Sequence, residues 1–242
     1  MTMIKKILNV FRPKPLADSV VIKPIAKPRD FDVNMHPQPE ADKWTLSEFV
    51  VKTLVPIVGI HPYPLDELLL MCSTLNYFRP DLIVEWGTYY GASARVFFEA
   101  AQFLSIKTEI HSADLPLDVA HVENLQDQNM RGHLVKGKPV HLHFGDGLVI
   151  VQNLMEEKQP HLPLIFLDGD HAYETVKREL NILKEIAPRA VVLAHDTFYQ
   201  KESSNYNIGP YKAVTEFAAK HSLPTYSTAL GLPGMTLLYW GE

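Results

Sequence analysis

Ile83-Val84-Glu85-Trp86-Gly87-Thr88-Tyr89-Tyr90-Gly91-Ala92-Ser93-Ala94-Arg95-Val96-Phe97-Phe98-Glu99 reads as a strand, a tight loop and the start of a helix. The apolar run Leu82-Ile83-Val84 ends in a carboxylate, Glu85. Gly87 and Gly91 follow before a helical pattern begins. Glycines at such a corner let backbone approach a ligand closely and tolerate positive φ. The helix start offers free N–H donors. The acid is the unusual element, because phosphate-gripping loops favour glycine and lysine. Neither G-x-x-x-x-G-K-[ST] nor G-x-G-x-x-G is present. An acid here suits a ligand with a cationic or hydroxyl-rich group. An ordinary strand–turn–helix corner is the plain alternative.

Outward from this corner, strand and helix alternate. Strands are expected over Leu82–Glu85, Glu109–Ala113, Val140–Phe144, Leu164–Leu167, Ala190–Ala194, Thr225–Thr228 and Thr236–Trp240. Helices are expected over Ala92–Leu104, Val119–Met130, Leu148–Glu157, Tyr173–Ile186 and Pro210–His221. Apolar strands separated by helices imply a doubly wound α/β fold, a mostly parallel seven-stranded sheet covered on both faces. No helix-length segment separates the last two strands, so they read as an antiparallel C-terminal hairpin through Leu230–Gly234. Before the sheet, residues 43–80 read as a helical cover, with helices near Thr45–Val55 and Leu65–Tyr77. The second presents Leu68, Leu69, Met71, Cys72 and Leu75 as an apolar face. Residues 1–42 carry six prolines between Pro13 and Pro39 and read as an extended arm.

The 242 residues suit one α/β domain with additions, and an apolar content of 46% suffices for a core. A net charge of −5 argues against a nucleic-acid partner. The single cysteine, Cys72, excludes a disulfide framework and a cysteine zinc cluster. No apolar run reaches membrane-spanning length. The basic amphipathic start lacks the features of a signal peptide, so a cytoplasmic protein is expected.

Ligands of parallel sheets bind at the carboxyl ends of the strands. Five consecutive strands here end in an acid: Glu85, Asp114, Asp146 after Gly145, Asp168 and Asp196 after His195. S-adenosylmethionine, with its ammonium, sulfonium and ribose, matches such a rim. Asp114 stands where it would accept from ribose hydroxyls, or else cap the following segment. Asp146 stands beside an adenine edge, or caps the helix at Leu148. Asp168, His195 and Asp196 end two neighbouring strands and converge on one divalent ion, Mg²⁺ or Mn²⁺. His171, three residues after Asp168, can take a proton from an acceptor hydroxyl. The alternative is that Asp170 or His171 caps the helix and no metal binds. The polar loop Phe198–Ile208, with Tyr199, Lys201, Tyr206 and Asn207, reads as an acceptor lid or a solvated loop. His111, His141, His143 and His161 read as structural.

Glu85-x-Gly87-Thr88-x-x-Gly91-x-Ser93, Asp114, Gly145-Asp146, Phe166-Leu167-Asp168-Gly169-Asp170-His171-x-Tyr173-Glu174 and His195-Asp196-Thr197 together resemble class I S-adenosylmethionine-dependent methyltransferases. The nearest branch acts on small molecules, similar to the sugar, macrolide and cephalosporin hydroxylase/rhamnosyl O-methyltransferase groups. The similarity spans roughly Asp81 to Trp240. It implies a Rossmann-like methyltransferase domain over residues 81–242. It implies cofactor contacts at Glu85, Gly87, Thr88, Gly91, Ser93, Asp114, Asp146 and Asp168, a metal at Asp168 and Asp196, and a base at His171. Family members that use a metal commonly carry an acid where this chain has His195, and Trp86 is bulky for its place. The implied activity is O-methylation of a small-molecule hydroxyl, with a sugar or glycosylated metabolite as the favoured class. Two alternatives stay open: a metal-independent methyltransferase for a phenol, amine or carboxyl acceptor, and a non-catalytic cofactor-binding subunit. The arm before the helical cover is the expected contact of any homo-oligomer.

Overall fold

The computed structural model describes residues 42–116, 119, 128–204, 206–228 and 230–240. Helix α1 (Lys43–Phe49) starts at Asp42, whose Oδ1 accepts from the amides of Trp44 at 3.1 Å and Thr45 at 3.2 Å. It continues through a π-helical stretch, Val50–Leu54, into a short α2 (Val55–Val58). The expected helix near Thr45–Val55 is thus present and longer. Pro56 has no N–H to close a regular turn, which accounts for the widened backbone just before it. Helix α3 (Leu65–Phe78) buries Leu68, Met71, Cys72 and Leu75 completely.

The sheet consists of β1 (Leu82–Trp86), β2 (Glu109–Asp114), β3 (Val140–Phe144), β4 (Pro163–Leu167), β5 (Val191–His195), β6 (Thr225–Ser227) and β7 (Met235–Tyr239). Its order is β3-β2-β1-β4-β5-β7-β6. The first five strands run parallel, whereas β7 is antiparallel to both β5 and β6. The expected hairpin is therefore present, with β7 inserted against β5 and β6 left as the edge. Helices α4 (Ala92–Phe103), α5 (Gly147–Lys158), α6 (Tyr173–Ile186) and α7 (Gly209–His221) are the crossovers. The helix expected over Val119–Met130 falls largely outside the described residues; its last three form a 3₁₀ turn, Gln128–Met130.

Side chains alternate between two cores, as the period of two along a strand requires. Ile83, Leu164, Phe166 and Leu193 pack on one face against Leu54, Leu68, Met71 and Phe97. Val84, Trp86, Ile165 and Val192 pack on the other against Leu148, Leu180 and Phe217. The central strands β1, β4 and β5 are buried along their whole length, which explains their unbroken apolar runs. The strand order reverses between β1 and β4, and the crevice at that reversal is where such folds bind ligands. No helix among the described residues is long and apolar enough to cross a membrane.

Candidate active site

The loop after β1 lies directly on the end of β4. A Cβ on Gly87 would meet the Asp168 carbonyl oxygen at 2.0 Å, and φ at Gly87 is +96°. Only glycine lets these two strand ends approach so closely. Gly91, at φ +85°, packs against the Cα of Gly132, so it secures the loop to the segment before β3.

Beneath the loop runs a buried polar chain. Thr88 Oγ1 and Ser112 Oγ lie 2.5 Å apart, Ser112 donates to Glu85, and Ser93 donates to the other Glu85 oxygen at 2.7 Å. Burial pushes the Glu85 carboxyl up to about 8, partly offset by the hydrogen bonds from Ser112 and Ser93. Glu85, Thr88 and Ser93 were expected to touch a cofactor. The structure places all three below the surface, satisfying one another and holding the loop from underneath. Asp114 does lie at the crevice. Its Oδ2 accepts from the Tyr89 amide at 3.2 Å and faces Arg131 Nε at 3.4 Å. Asp146 takes the capping alternative, accepting from the Leu148 amide at 2.8 Å as N-cap of α5, and is exposed. Trp86 fits because Gly147 and Gly169 leave room for its indole; a Cβ on either would come within 3 Å of the ring. Its Nε1 donates to Glu179 at 3.1 Å.

At the ends of β4 and β5, acids and imidazoles alternate. Glu67 Oε2 lies 3.0 Å from His195 Nε2, and His195 Nδ1 lies 2.9 Å from Asp168 Oδ1. Asp168 Oδ1 is 3.6 Å from His171 Nε2, which is 3.0 Å from Asp196 Oδ2. Tyr63 donates to Asp168 at 2.6 Å, the Gly234 amide to Glu67 at 2.8 Å, and Tyr206 and Asn207 to Asp196 at 2.8 and 2.6 Å. Burial opposes every charge here, but the neighbours prevail. The positive His195 and the hydrogen bonds from His171, His195 and Tyr63 hold Asp168 well below the ordinary carboxylate range. Hydrogen bonds and charges from Asp168 and Asp196 push His171 up to about 11; Asp168 and Glu67 push His195 up to about 10.

Asp168, His195 and Asp196 each offer a ligand atom, all within 4.8 Å of one another. The donor set fits a divalent cation. With an ion bound, His195 would be neutral, with Nε2–H donating to Glu67 and the Nδ1 lone pair toward the two aspartates, a carboxylate thus orienting the ligating imidazole. His171, the expected base, lies between the two aspartates, whose hydrogen bonds and charges favour its cationic form. Asp170 accepts from the Ala172 amide at 2.7 Å and from the Thr175 hydroxyl at 2.9 Å, but the N-cap of α6 is Ala172 and no side chain caps the helix. The Phe198–Ile208 loop is tied to the site through Tyr206 and Asn207 rather than standing free.

Two participants, Tyr63 and Glu67, are absent from the sequence reading. Tyr63 precedes α3, and Glu67 is 1% exposed on that helix; both approach β4 and β5 from the helical cover. The available signal is an acid at 67, one helical turn before Met71 on an otherwise apolar face. Tyr206, named in the loop, has its partner at Asp196, ten residues back.

Residues 84–197 match the family model of a methyltransferase domain. Over these residues, a little under half of the chain, the sequence is similar to that family. Among solved structures, the S-adenosylhomocysteine-bound methyltransferase PaMTH1 of Podospora anserina superposes with a TM-score of 0.53 at 18% identity, covering 84% of this chain and 89% of that one. CalS11, a TDP-rhamnose 3′-O-methyltransferase of calicheamicin biosynthesis, gives a TM-score of 0.53 at 17% identity, covering 81% and 87%. The O-methyltransferase TomG of Streptomyces achromogenes, in complex with S-adenosylmethionine, gives 0.53 at 15%, covering 84% and 91%. This chain thus shares the fold of these enzymes. An uncharacterized protein of Sinorhizobium fredii, y4gI, is 27% identical over 170 residues; these cover 68% of this chain and 18% of that much longer protein.

Proposed function

We propose that this chain transfers the methyl group of S-adenosylmethionine to a hydroxyl of a small molecule, with a sugar or glycosylated metabolite as the acceptor class. The observation that carries this reading is the alternating chain Glu67, His195, Asp168, His171, Asp196 at the carboxyl rim, beside a glycine loop that touches Asp168. A binding module has no need of such an array of linked acids and imidazoles. CalS11, which methylates a rhamnose hydroxyl by its name, supports the acceptor class.

The cofactor would lie over Gly87 and Gly91, with Asp114 toward the ribose hydroxyls. Glu85, Thr88 and Ser93 keep the loop in shape below it. Transfer is an in-line displacement, so holding the acceptor oxygen behind the methyl supplies much of the acceleration. A sugar hydroxyl is a weak nucleophile and must lose its proton as the O–C bond forms. Once its own proton has been released, His171 would accept that proton at Nε2, and Asp168 and Asp196 on either side would hold the resulting imidazolium. A divalent ion at Asp168, His195 and Asp196 would supply positive charge that stabilises the developing alkoxide and releases the proton His171 otherwise retains. Tyr206 and Asn207 fix Asp196, so the acceptor loop and the rim are positioned together.

Calorimetry with S-adenosylhomocysteine, followed by methyl transfer from labelled S-adenosylmethionine to a panel of nucleotide sugars and glycosides, tests the reading. Binding in the micromolar range and label in a hydroxyl ether are expected. Tight binding of NADH or ATP with no response to either methionine cofactor would overturn it. Full turnover after exhaustive chelation would select the metal-independent alternative.

A further inference from the structure

A second cluster of imidazoles lies at the opposite end of the sheet, where β2 begins. Glu109 and His111 point to one face of β2. The register pairs His111 with His141 and Ala113 with His143 on the edge strand β3, so all four side chains share that face. The His111 ring stacks on His141 with centroids 4.6 Å apart and on His143 at 5.1 Å. His111 Nδ1 lies 2.9 Å from His143 Nε2, and His111 Nε2 lies 3.4 Å from Glu109 Oε2. Ligand atoms of Glu109, His111 and His141 all lie within 4.8 Å of one another.

We propose that Glu109, His111 and His141 form a second cation site, for a borderline transition-metal dication such as Zn²⁺, with His143 orienting His111 from behind. Two imidazoles and one carboxylate select such an ion over Mg²⁺, which prefers oxygen. His111 is 4% exposed and stays fixed, whereas Glu109 and His141 are exposed and free to close the remaining distance. In the tautomer whose Nδ1–H donates to His143 Nε2, the His111 Nε2 lone pair is directed at Glu109. Two acceptors then face each other, an arrangement that a cation between them resolves. Lys158 Nζ, 3.3 Å from Glu109 Oε2, supplies part of that positive charge now and is 36% exposed, so it can give way. Bound metal would clamp the edge strand β3 to β2, well away from the rim and independently of the methyl-transfer reading.

The test is zinc titration of the full-length, untagged chain by calorimetry, with Mg²⁺ present throughout. Asp168→Asn removes the rim as a competing zinc site, and the edge variants are compared in that background. Asp168→Asn protein is expected to keep one zinc equivalent. Adding His141→Ala or Glu109→Gln, both at exposed positions, should weaken it at least tenfold. His143→Ala should weaken it about 10- to 100-fold, the usual effect of losing an orienting partner. Zinc binding that disappears with Asp168→Asn alone, or that survives His141→Ala unchanged, overturns the proposal.

Discussion

The rim and the β2–β3 edge are built from the same two residue types and come to opposite electrostatic states. At the rim, three carboxylates surround two imidazoles, which are pushed up to about 10 and 11. At the edge, three imidazoles share one carboxylate, and burial pushes His111 down to about 4 while His143 is also lowered. Burial acts the same way at both places, always against the cation. What differs is how many acids stand near enough to offset it. A histidine's protonation in this fold is therefore set by its neighbours' stoichiometry, and reading it requires the strand register.

The most severe way to break the rim is Asp168→Asn. It removes the acid to which Tyr63, His195 and His171 all turn. Methyl transfer should fall by about 10⁴-fold or more, beyond the usual worth of one general base. Stability should fall by about 3–5 kcal/mol, as expected when one partner of a buried charge pair is lost. Single-turnover kinetics and denaturant melts check both. His171→Ala should lower the chemical step by about 10²–10⁴-fold. Cofactor affinity measured by calorimetry should stay near wild type, because the proposed role of the ring is toward the acceptor. An unchanged rate would move the base elsewhere.

Glu67→Gln sharpens the comparison by changing the ratio of acids to imidazoles. Losing the charge opposite His195 Nε2 should bring the His195 titration down toward its ordinary range, visible in imidazole carbon NMR shifts. It should cost about 1–3 kcal/mol of stability.

The smallest effects are in the pH dependence of stability of the metal-free protein, and the two regions should pull in opposite directions. His171 and His195 titrate higher folded than unfolded, so their contribution is complete below about pH 6.5 and is lost as pH rises through 10 to 11. His111 titrates lower folded than unfolded. Its neutral ring contributes fully above about pH 6.5, and that contribution fades as pH falls toward 4. Urea melts of wild type and His111→Leu between pH 4 and 7 should converge at the acidic end. Parallel curves would mean that His111 keeps its proton when folded.

Much of the rim was legible in the sequence because strand ends carry a signature: an apolar run stops and an acid follows. Asp168, His195 and Asp196 came from that rule, and β4–β5 pairing brought them together. Glu67 and Tyr63 were hidden because they come from the helical cover, about 100 residues earlier in the chain, where helical periodicity reads as packing. Glu85, Thr88 and Ser93 lie at the strand–loop–helix corner the sequence marks, but their burial is not legible there. Spacing gives the position along a strand, but not which face is closed over by Ser112 from the neighbouring strand. The edge histidines read as structural in the sequence because no short motif joins 111 to 141 and 143; only the β2–β3 register does.

The three tryptophans sit in very different surroundings. Trp44 is 88% exposed, while Trp86 and Trp240 are each 6% exposed. Iodide in solution would quench the emission of Trp44 and spare the other two. Trp86 lies against Gly169, the residue after Asp168, with its indole N–H on the buried Glu179. The chain thus carries a native optical reporter beside the proposed reaction centre, and Trp240→Phe would leave Trp86 as the only shielded emitter. Its wavelength and lifetime would then follow events at the β4 terminus without any attached dye.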